Sequence, residues 1–302
     1  MNPTNYLRKI LEGQIFDNDD QELKDLRQRR NDIANKLRSR FSSSSPSICW
    51  AGSKAKGTMI RESYDGDMTC YFLHDEEKAG KTLNEIYEAV EQILLEDYYV
   101  ERKASALRVR DKNDRSNDLH IDVVPGRYTD ETKGDVFLHR TTGDKQRLKT
   151  NLQTHIDYIK DSDVIDAIRL IKLWKVLNGL SEVKTFVLEL LVVKILEDRK
   201  SSDLSIQLTH VWNSFRDDLD NMSIKDPANS NNDLKPGLDS CRDKLSVVAK
   251  NTLWQIDNNG WDVIFKDVSG GIESNRDLEQ STALQVAVAN VITPTKPWLQ
   301  GM

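Results

Sequence analysis

The chain has 302 residues, of which 38% are hydrophobic and 30% are charged, a composition that excludes a fibrous, disordered or membrane protein. Forty-three basic residues against 49 acidic ones leave a net charge of -6, which argues against general electrostatic attraction to nucleic acid. The three cysteines include no CxxC pair and the five histidines are scattered, so neither a disulfide framework nor a zinc site is indicated.

Neither a membrane span nor an export signal is evident in the sequence. The longest apolar stretch, Leu188 to Leu196, is interrupted by Glu189 and Lys194 and is far shorter than the roughly 20 residues that cross a bilayer. The opening residues, MNPTNYLRKILEGQIF, lack an apolar core and a small-residue cleavage site. We therefore expect a cytoplasmic protein that does not enter a membrane.

The first half of the sequence begins with a basic helix. Apolar residues recur at helical spacing from Asp20 to Phe41, and Lys and Arg fill many of the other positions. Such a face is either solvated or binds phosphate, and the sequence leaves both interpretations open.

Strand-like runs then follow, namely DMTCYFL, YYVER, SALRVR and DLHIDVV. A helix from Thr82 to Leu95 interrupts them and opens with a capping box formed by Thr82 and Glu85. This pattern predicts an α+β domain, a sheet with at least one covering helix, over residues 1–150.

The second half, residues 151–302, is predicted to form a helical lobe. Asp163 is placed to cap a helix that ends at Asn178-Gly179, and a nearly all-apolar helix from about Lys184 to Asp198 should be buried. The polar segment from Ser223 to Gly237 contains two prolines and is predicted to be a loop. The tail from Thr293 to Met302 is expected to be irregular.

The segment AGSKAKGTMIRESYDGD carries the most chemical information. Gly52 and Ser53, followed by two lysines, offer backbone amides, a hydroxyl and positive charge that suit a phosphate-binding loop, although a plain turn would have the same sequence. Asp65 and Asp67 lead into the next strand-like run, where residues i and i+2 point to one face.

A third carboxylate, Asp122, lies within the apolar run LHIDVVP. An ionised acid there is costly unless it is paired with a cation or binds metal, so it is either a salt-bridged core residue or a metal ligand. Three carboxylates behind a phosphate loop are what two-metal phosphoryl transfer requires, because Mg²⁺ prefers hard oxygen ligands.

The order of these motifs resembles the DNA polymerase β-like nucleotidyltransferase superfamily. Within it, the details are similar to the bacterial CD-NTases, the cyclic-oligonucleotide synthases of CBASS antiphage defence, and to their animal relatives oligoadenylate synthase and cyclic GMP-AMP synthase. The resemblance covers about Trp50 to Pro236. It rests on GSxxxGT at Gly52 to Thr58, HIDVVPG, RLIKLWK with KTFVLELL, and DPANSNN at Asp226 to Asn232.

The resemblance implies a polymerase β-like nucleotidyltransferase core with a mixed sheet, facing a helical C-terminal lobe. It makes Asp65, Asp67 and Asp122 the catalytic ligands of Mg²⁺ or Mn²⁺, with Asp122 next to the acceptor hydroxyl. It places Gly52 and Ser53 on the donor triphosphate.

From the helical lobe, the resemblance implies that Lys172 grips phosphates across the cleft and that Thr185 also contacts them. Phe186 would stack on the donor base. Phe186 stands where relatives have tyrosine, so it stacks but cannot hydrogen-bond to a base. Gly66 replaces the usual aliphatic residue between the two aspartates, which is expected to loosen the strand.

The expected activity is condensation of nucleoside triphosphates, including ATP, into a cyclic or short linear oligonucleotide with release of pyrophosphate. The product would activate a separate effector, and a regulatory protein would be a further partner. Two alternatives remain open: tailing of a nucleic-acid 3′ end, and a catalytically silent nucleotide-binding module. The zinc-binding insertion of the animal DNA sensor is absent from the sequence, so control by double-stranded DNA is not expected.

Overall fold

The structure is a computed structural model that describes residues 2–112, 119–143 and 145–265. The predicted irregular tail at Thr293 to Met302 lies outside the described residues. Within the described ranges, every helix is too short or too polar to cross a membrane.

The described elements form a sheet-containing half followed by a helical half. The helices are α1 (Pro3–Gln14), α2 (Gln21–Arg40), α3 (Gly52–Lys56), α4 (Leu83–Leu95), α5 (Leu152–Lys160), α6 (Ile165–Leu177), α7 (Thr185–Ile195), α8 (Leu204–Asp217), α9 (Lys235–Asp239) and α10 (Arg242–Asn259). The strands are β1 (Gly66–Phe72), β2 (Tyr98–Arg102), β3 (Leu107–Asp111), β4 (Ile121–Tyr128), β5 (Val136–His139), β6 (Arg147–Thr150), β7 (Lys225–Asp226) and β8 (Asn229–Asp233). Two single-turn helices cover Leu219–Asn221 and Trp261–Val263.

A six-stranded mixed sheet organises the first half, as the family resemblance predicted. Strand β4 is central: it pairs in parallel with β1 and antiparallel with β3 and β5. Strands β2 and β6 extend the sheet by antiparallel pairing with β3 and β5. The parallel pairing of β1 with β4 brings the DxD segment beside the HIDVVP segment, which are far apart in sequence.

Helices α2 and α4 pack with β1, β3 and β4 in one apolar core. Both helices were predicted from their apolar spacing, and the capping box of α4 is present, with the Thr82 side chain accepting from the Glu85 backbone N–H. The apolar faces of the strands and helices therefore fold as the periodicity indicates.

A second apolar core joins α1 to helices α6, α7, α8 and α10 of the helical half. Its largest members, Trp174, Trp212 and Phe215, are fully buried, and burial of each such side chain stabilises the fold by about 1.5–3 kcal/mol. The Trp174 indole N–H donates to Thr252 Oγ1 at 2.9 Å, so its polar atom is satisfied. The first helix of the chain thus packs with the helical half.

Two local predictions need correction. The segment from Ser223 to Gly237 contains the β7–β8 hairpin and the start of α9, because Asp226 accepts from the Ala228 N–H and Asn232 side chain and fixes a turn. Asp163 does not cap α6, since it has a positive φ of 61° and Val164 occupies the cap position. Gly66 is buried and pairs with Ile121, and a Cβ there would lie 2.3 Å from Ile121 Cδ1; the expected loosening of the strand stays a prediction.

Candidate active site

The three predicted carboxylates lie at the start of the β1–β4 pair. Asp67 on β1 is the register partner of Asp122 on β4, and Asp65 precedes β1 by one residue. The two carboxylate strands are therefore neighbours, as two-metal chemistry requires of its ligands. The roles of the three residues in catalysis remain predictions.

Gly52 forms a cradle for Asp67. Its φ of 54° is in the left-handed region, and a Cβ at this position would lie 1.6 Å from Asp67 Oδ2. Next to it, the Ala51 N–H donates to the Asp67 carbonyl at 2.8 Å. Only glycine allows the backbone of the predicted phosphate loop to approach the carboxylate this closely.

Ser53 follows Gly52 in the short helix α3 and is buried. Its Oγ has no hydrogen-bond partner within the described part of the chain. A buried hydroxyl without a partner costs free energy that a ligand oxygen would recover, so this atom suits a phosphate contact.

The carboxylate cluster holds an excess of negative charge around Asp67. Burial, together with the charges of Asp65 and Asp122, raises the pKa of Asp67 to about 7. Burial also opposes ionisation of Asp65, but contact with His120 and the charges of Lys172 and Arg108 hold its pKa below the usual value. The site thus favours a cation or a proton beside Asp67.

Arg108 on β3 holds Asp122 from the opposite side of β4. Its Nε donates to Asp122 Oδ1 and its Nη2 to Oδ2, each at 2.9 Å. His120 Nε2 lies 3.6 Å from Asp65 Oδ2 and 4.0 Å from Asp122 Oδ1. Asp122 is therefore salt-bridged, which was one of the two interpretations of its sequence. It also lies opposite Asp67, where the second interpretation expects a metal ligand.

The donor chemistry of the site fits Mg²⁺. The three carboxylates are hard oxygen donors on adjacent positions, and the raised pKa of Asp67 shows the charge excess that a divalent cation would relieve. Among the described residues, however, no group of three or more His, Cys, Asp or Glu side chains is already arranged around a metal position.

A buried charge network joins the phosphate loop to the helical half. Glu189 on α7 is fully buried, binds the Lys56 ammonium, and accepts from Thr58 Oγ1 at 2.6 Å. Lys172 on α6 donates to the Thr58 carbonyl at 2.7 Å and lies 3.9 Å from Glu189 Oε1. Arg169, one turn earlier on α6, donates to the Gly57 carbonyl at 3.1 Å.

The surroundings of Lys172 follow from this network. Burial, partly offset by Glu189, lowers the pKa of Lys172 to about 8. Its ammonium donates to the Thr58 carbonyl at the end of the phosphate loop, and an ammonium has three donors in all. Contact between Lys172 and the phosphates of a nucleotide stays a prediction.

Lys175 and Thr185 lie on the side of the helical half that faces Asp65. Lys175 Nζ lies 3.3 Å from Thr185 Oγ1, and burial lowers the pKa of this lysine while the charge of Asp65 partly raises it again. Thr185 is the first residue of α7. The pair thus offers an ammonium and a hydroxyl at the start of α7, groups that suit a triphosphate.

Phe186 packs at the same end of α7. Its ring centroid lies 4.8 Å from that of His155 and 5.7 Å from the Lys56 ammonium. His155 Nε2 in turn lies 2.7 Å from Asp226 Oδ1 in the β7–β8 hairpin, so the hairpin fixes the ring behind Phe186. Base stacking by Phe186 stays a prediction.

The basic face of α2 is largely committed to contacts within the chain. Its side chains bind backbone carbonyls and carboxylates of the sheet-containing half. The pairs are Arg29 with the Leu119 carbonyl, Arg30 with the Ile48 carbonyl, and Lys36 and Arg40 with Glu96. The side chains in these pairs are therefore neither fully solvated nor free for phosphate, the two interpretations that the sequence left open.

Sequence analysis did not identify Arg108, His120, Lys175 or Glu189. The alternation in SALRVR and LHIDVV could have placed Arg108 on the face of Asp122, but only the β3–β4 register makes them partners. Glu189 was noted as an interruption of an apolar run, and a buried acid in such a run signals a buried partner.

The comparisons with known proteins agree with this architecture. No known family model matches the sequence, and no curated protein matches it significantly. Solved structures do match: the fold is that of nucleotidyltransferases, and specifically of bacterial CD-NTases.

Three of these structures illustrate the match. Escherichia coli CdnC, solved in a complex with HORMA-deltaN, has a TM-score of 0.57 and 20% identity over 81% of this chain and 91% of its own. Vibrio cholerae DncV, a cyclic AMP-GMP synthase solved with the linear intermediate 5′ pppA(3′,5′)pG, has a TM-score of 0.59 and 18% identity over 78% and 71%. Elizabethkingia meningoseptica CdnE, a cyclic dinucleotide synthase solved with GTP and Apcpp, has a TM-score of 0.54 and 16% identity over 77% and 92%. The fold predicted from the family resemblance is confirmed.

Proposed function

We propose that this chain is a nucleotidyltransferase, dependent on Mg²⁺ or Mn²⁺, that condenses nucleoside triphosphates into a cyclic or short linear oligonucleotide. The observation that carries the proposal is the pairing of Asp67 with Asp122, with Gly52 packed against the Asp67 carboxylate. The shared fold with cyclic dinucleotide synthases supports the same conclusion.

Each half of the molecule has a part in this reaction. Gly52 and the unpartnered Ser53 hydroxyl would bind the donor triphosphate, while Lys172 and Thr185 would contact phosphates from the helical half. Phe186 would stack on the donor base. The buried Glu189 network would keep the phosphate loop in place relative to α6 and α7.

Asp65, Asp67 and Asp122 would hold the divalent cations, which lower the pKa of the attacking hydroxyl and neutralise the leaving pyrophosphate. The hydroxyl oxygen of the acceptor sugar forms a bond to the α-phosphorus of the donor. The bond from that phosphorus to the β-phosphate oxygen breaks, and pyrophosphate leaves. Asp122, placed opposite Asp67, would lie next to the acceptor hydroxyl, whose proton leaves to solvent water.

The biological setting follows the same proposal. ATP is among the substrates, the enzyme acts in the bacterial cytoplasm in antiphage (CBASS) defence, and its product activates a separate effector. A regulatory protein is a further partner in this proposal, which is supported by the complex of CdnC with HORMA-deltaN.

Pyrophosphate release tests the proposal. Purified protein is incubated with all four ribonucleoside triphosphates and Mg²⁺, beside Asp67→Asn and a surface control, Glu182→Gln, whose partner Lys244 is exposed. We expect release by wild type and Glu182→Gln and none by Asp67→Asn. Release that requires an added oligonucleotide would instead support tailing, and nucleotide binding without release would support the silent module.

A further inference from the structure

Arg108 neutralises Asp122 and donates a hydrogen bond to each of its carboxylate oxygens. The two residues are register partners on the antiparallel strands β3 and β4, so their side chains share one face of the sheet. Both carboxylate oxygens accept from the guanidinium at 2.9 Å, and the side chains are only 23% and 15% exposed. Such a bidentate, partly buried pair is among the strong charge-assisted contacts in proteins.

The strand pairing makes the carboxylates neighbours, and the contact with Arg108 accounts for why Asp122 is not arranged around a shared metal position. Asp122 faces Asp67 across the β1–β4 pairing, but its oxygens are turned to Arg108. In the described residues, no set of three acidic, His or Cys side chains surrounds a common point. A guanidinium that donates to both oxygens occupies one lone pair of each and places a positive charge beside them, so it competes with a divalent cation for this carboxylate.

We propose that Arg108 is a resident counter-ion of Asp122 that competes with a divalent cation for this carboxylate. The inference rests on the proposed function, since it concerns the ions which that function requires. Without nucleotide, Arg108 keeps the third carboxylate neutralised and lowers the affinity of the free protein for the ion. Its displacement leaves a positive side chain beside the cluster, where an anionic nucleotide would stabilise it.

A purely supporting role for Arg108 predicts the opposite effect. If the guanidinium orients Asp122 for the ion, its removal weakens ion binding because the carboxylate loses its position. If it competes with the ion, its removal strengthens binding. The sign of the change therefore separates the two roles.

The test is equilibrium binding of Mn²⁺ to the full chain without nucleotide, measured from the electron paramagnetic resonance signal of free Mn²⁺. Arg108→Gln removes the competitor. Arg110→Gln is the matched control, since Arg110 lies on the same strand and pairs with Glu101 at 3.3 Å, not with Asp122. We expect Arg108→Gln to bind Mn²⁺ about tenfold more tightly than wild type, and Arg110→Gln to stay within about twofold.

Arg108→Lys keeps the charge but loses the bidentate fork, so it should fall between wild type and Arg108→Gln. It also guards against misfolding of the Gln variant. Equal or weaker Mn²⁺ binding by both variants, with wild-type binding intact, would overturn the inference while leaving the proposed function standing. Absence of Mn²⁺ binding by wild type and by both Arg108 variants would overturn the inference, and its absence again in the presence of ATP would overturn the metal dependence as well.

Discussion

Replacement of Glu189 by glutamine tests the link between the phosphate loop and the helical half. Glu189 is fully buried and faces two ammonium groups, those of Lys56 and Lys172, which are themselves only 8% and 5% exposed. Glutamine keeps the shape and retains an oxygen for Thr58 Oγ1, so the substitution removes the charge and the acceptor that binds the Lys56 ammonium.

Loss of one member of a buried ion pair costs about 3–5 kcal/mol, because the remaining charge stays buried without compensation. That is a large share of the roughly 5–15 kcal/mol that stabilises a typical protein. A chain of this size loses about 2–4 °C in Tm for each kcal/mol, so Glu189→Gln should lower Tm by at least about 6 °C.

The effect should also depend on pH in a particular direction. Burial holds the pKa of Lys172 at about 8, below its unfolded value, and Glu189 is the main charge that raises it. Without Glu189 this pKa falls further, so the folded state sheds the Lys172 proton at a lower pH than wild type. The unfolded state then binds more protons, and the stability deficit shrinks as pH rises towards about 8.

Thermal unfolding of wild type, Glu189→Gln and the control Glu182→Gln, measured by differential scanning fluorimetry at several pH values, checks this reasoning. Glu182 pairs with Lys244 at 2.6 Å, but these side chains are 37% and 50% exposed, so its loss should cost less than about 1 kcal/mol. Equal Tm values for the two variants would refute the claim that the buried network stabilises the contact between the halves.

Three further predictions concern the carboxylate site. Gly52→Ala would place a Cβ 1.6 Å from Asp67 Oδ2, so the carboxylate must move and the rate of pyrophosphate release should fall by about 100-fold. A rate near that of wild type would contradict this. Because the pKa of Asp67 is raised to about 7, wild type without divalent cations should lose stability as pH rises through 7, and Asp67→Asn should lose less. Equal slopes of Tm against pH for the two proteins, from pH 5.5 to 8, would argue against the charge excess. Gly66→Val should lower the free energy of unfolding, measured in urea, by about 1–3 kcal/mol, since its Cβ position lies 2.3 Å from Ile121 Cδ1; an unchanged midpoint would show that the packing adapts.

Local signals in the sequence were sufficient for the strongly periodic elements. The capping box of α4, the glycine that follows α6 and the apolar run of α7 each depend on residues within a few positions of one another. The β7–β8 hairpin was missed because its strands are polar, and it is held by the side chain of Asp226 and not by an apolar face. Short strands of this kind carry no hydrophobic alternation.

In the candidate site, too, some residues are indicated by nearby sequence and others are brought together only by the fold. The order of the motifs was sufficient to select Asp65, Asp67 and Asp122. For Asp122 there was a second signal, because an ionised acid in an apolar run is costly unless it is paired or binds metal. The partners that set their electrostatics could not, since Arg108 reaches Asp122 through strand register and Lys56 reaches Glu189 across the two halves. The crowding at Gly66 could not be predicted for the same reason, since its neighbour Ile121 lies on another strand.

Mass spectrometry of the reaction products tests the central claim most directly. Wild type and Asp67→Asn are incubated with the four ribonucleoside triphosphates and Mg²⁺, phosphatase then removes exposed phosphates, and the remaining species are identified by mass. The account predicts a phosphatase-resistant cyclic or short linear oligonucleotide from wild type and none from Asp67→Asn. The same product from both proteins, or none from wild type together with no Mg²⁺-dependent nucleotide binding, would contradict it.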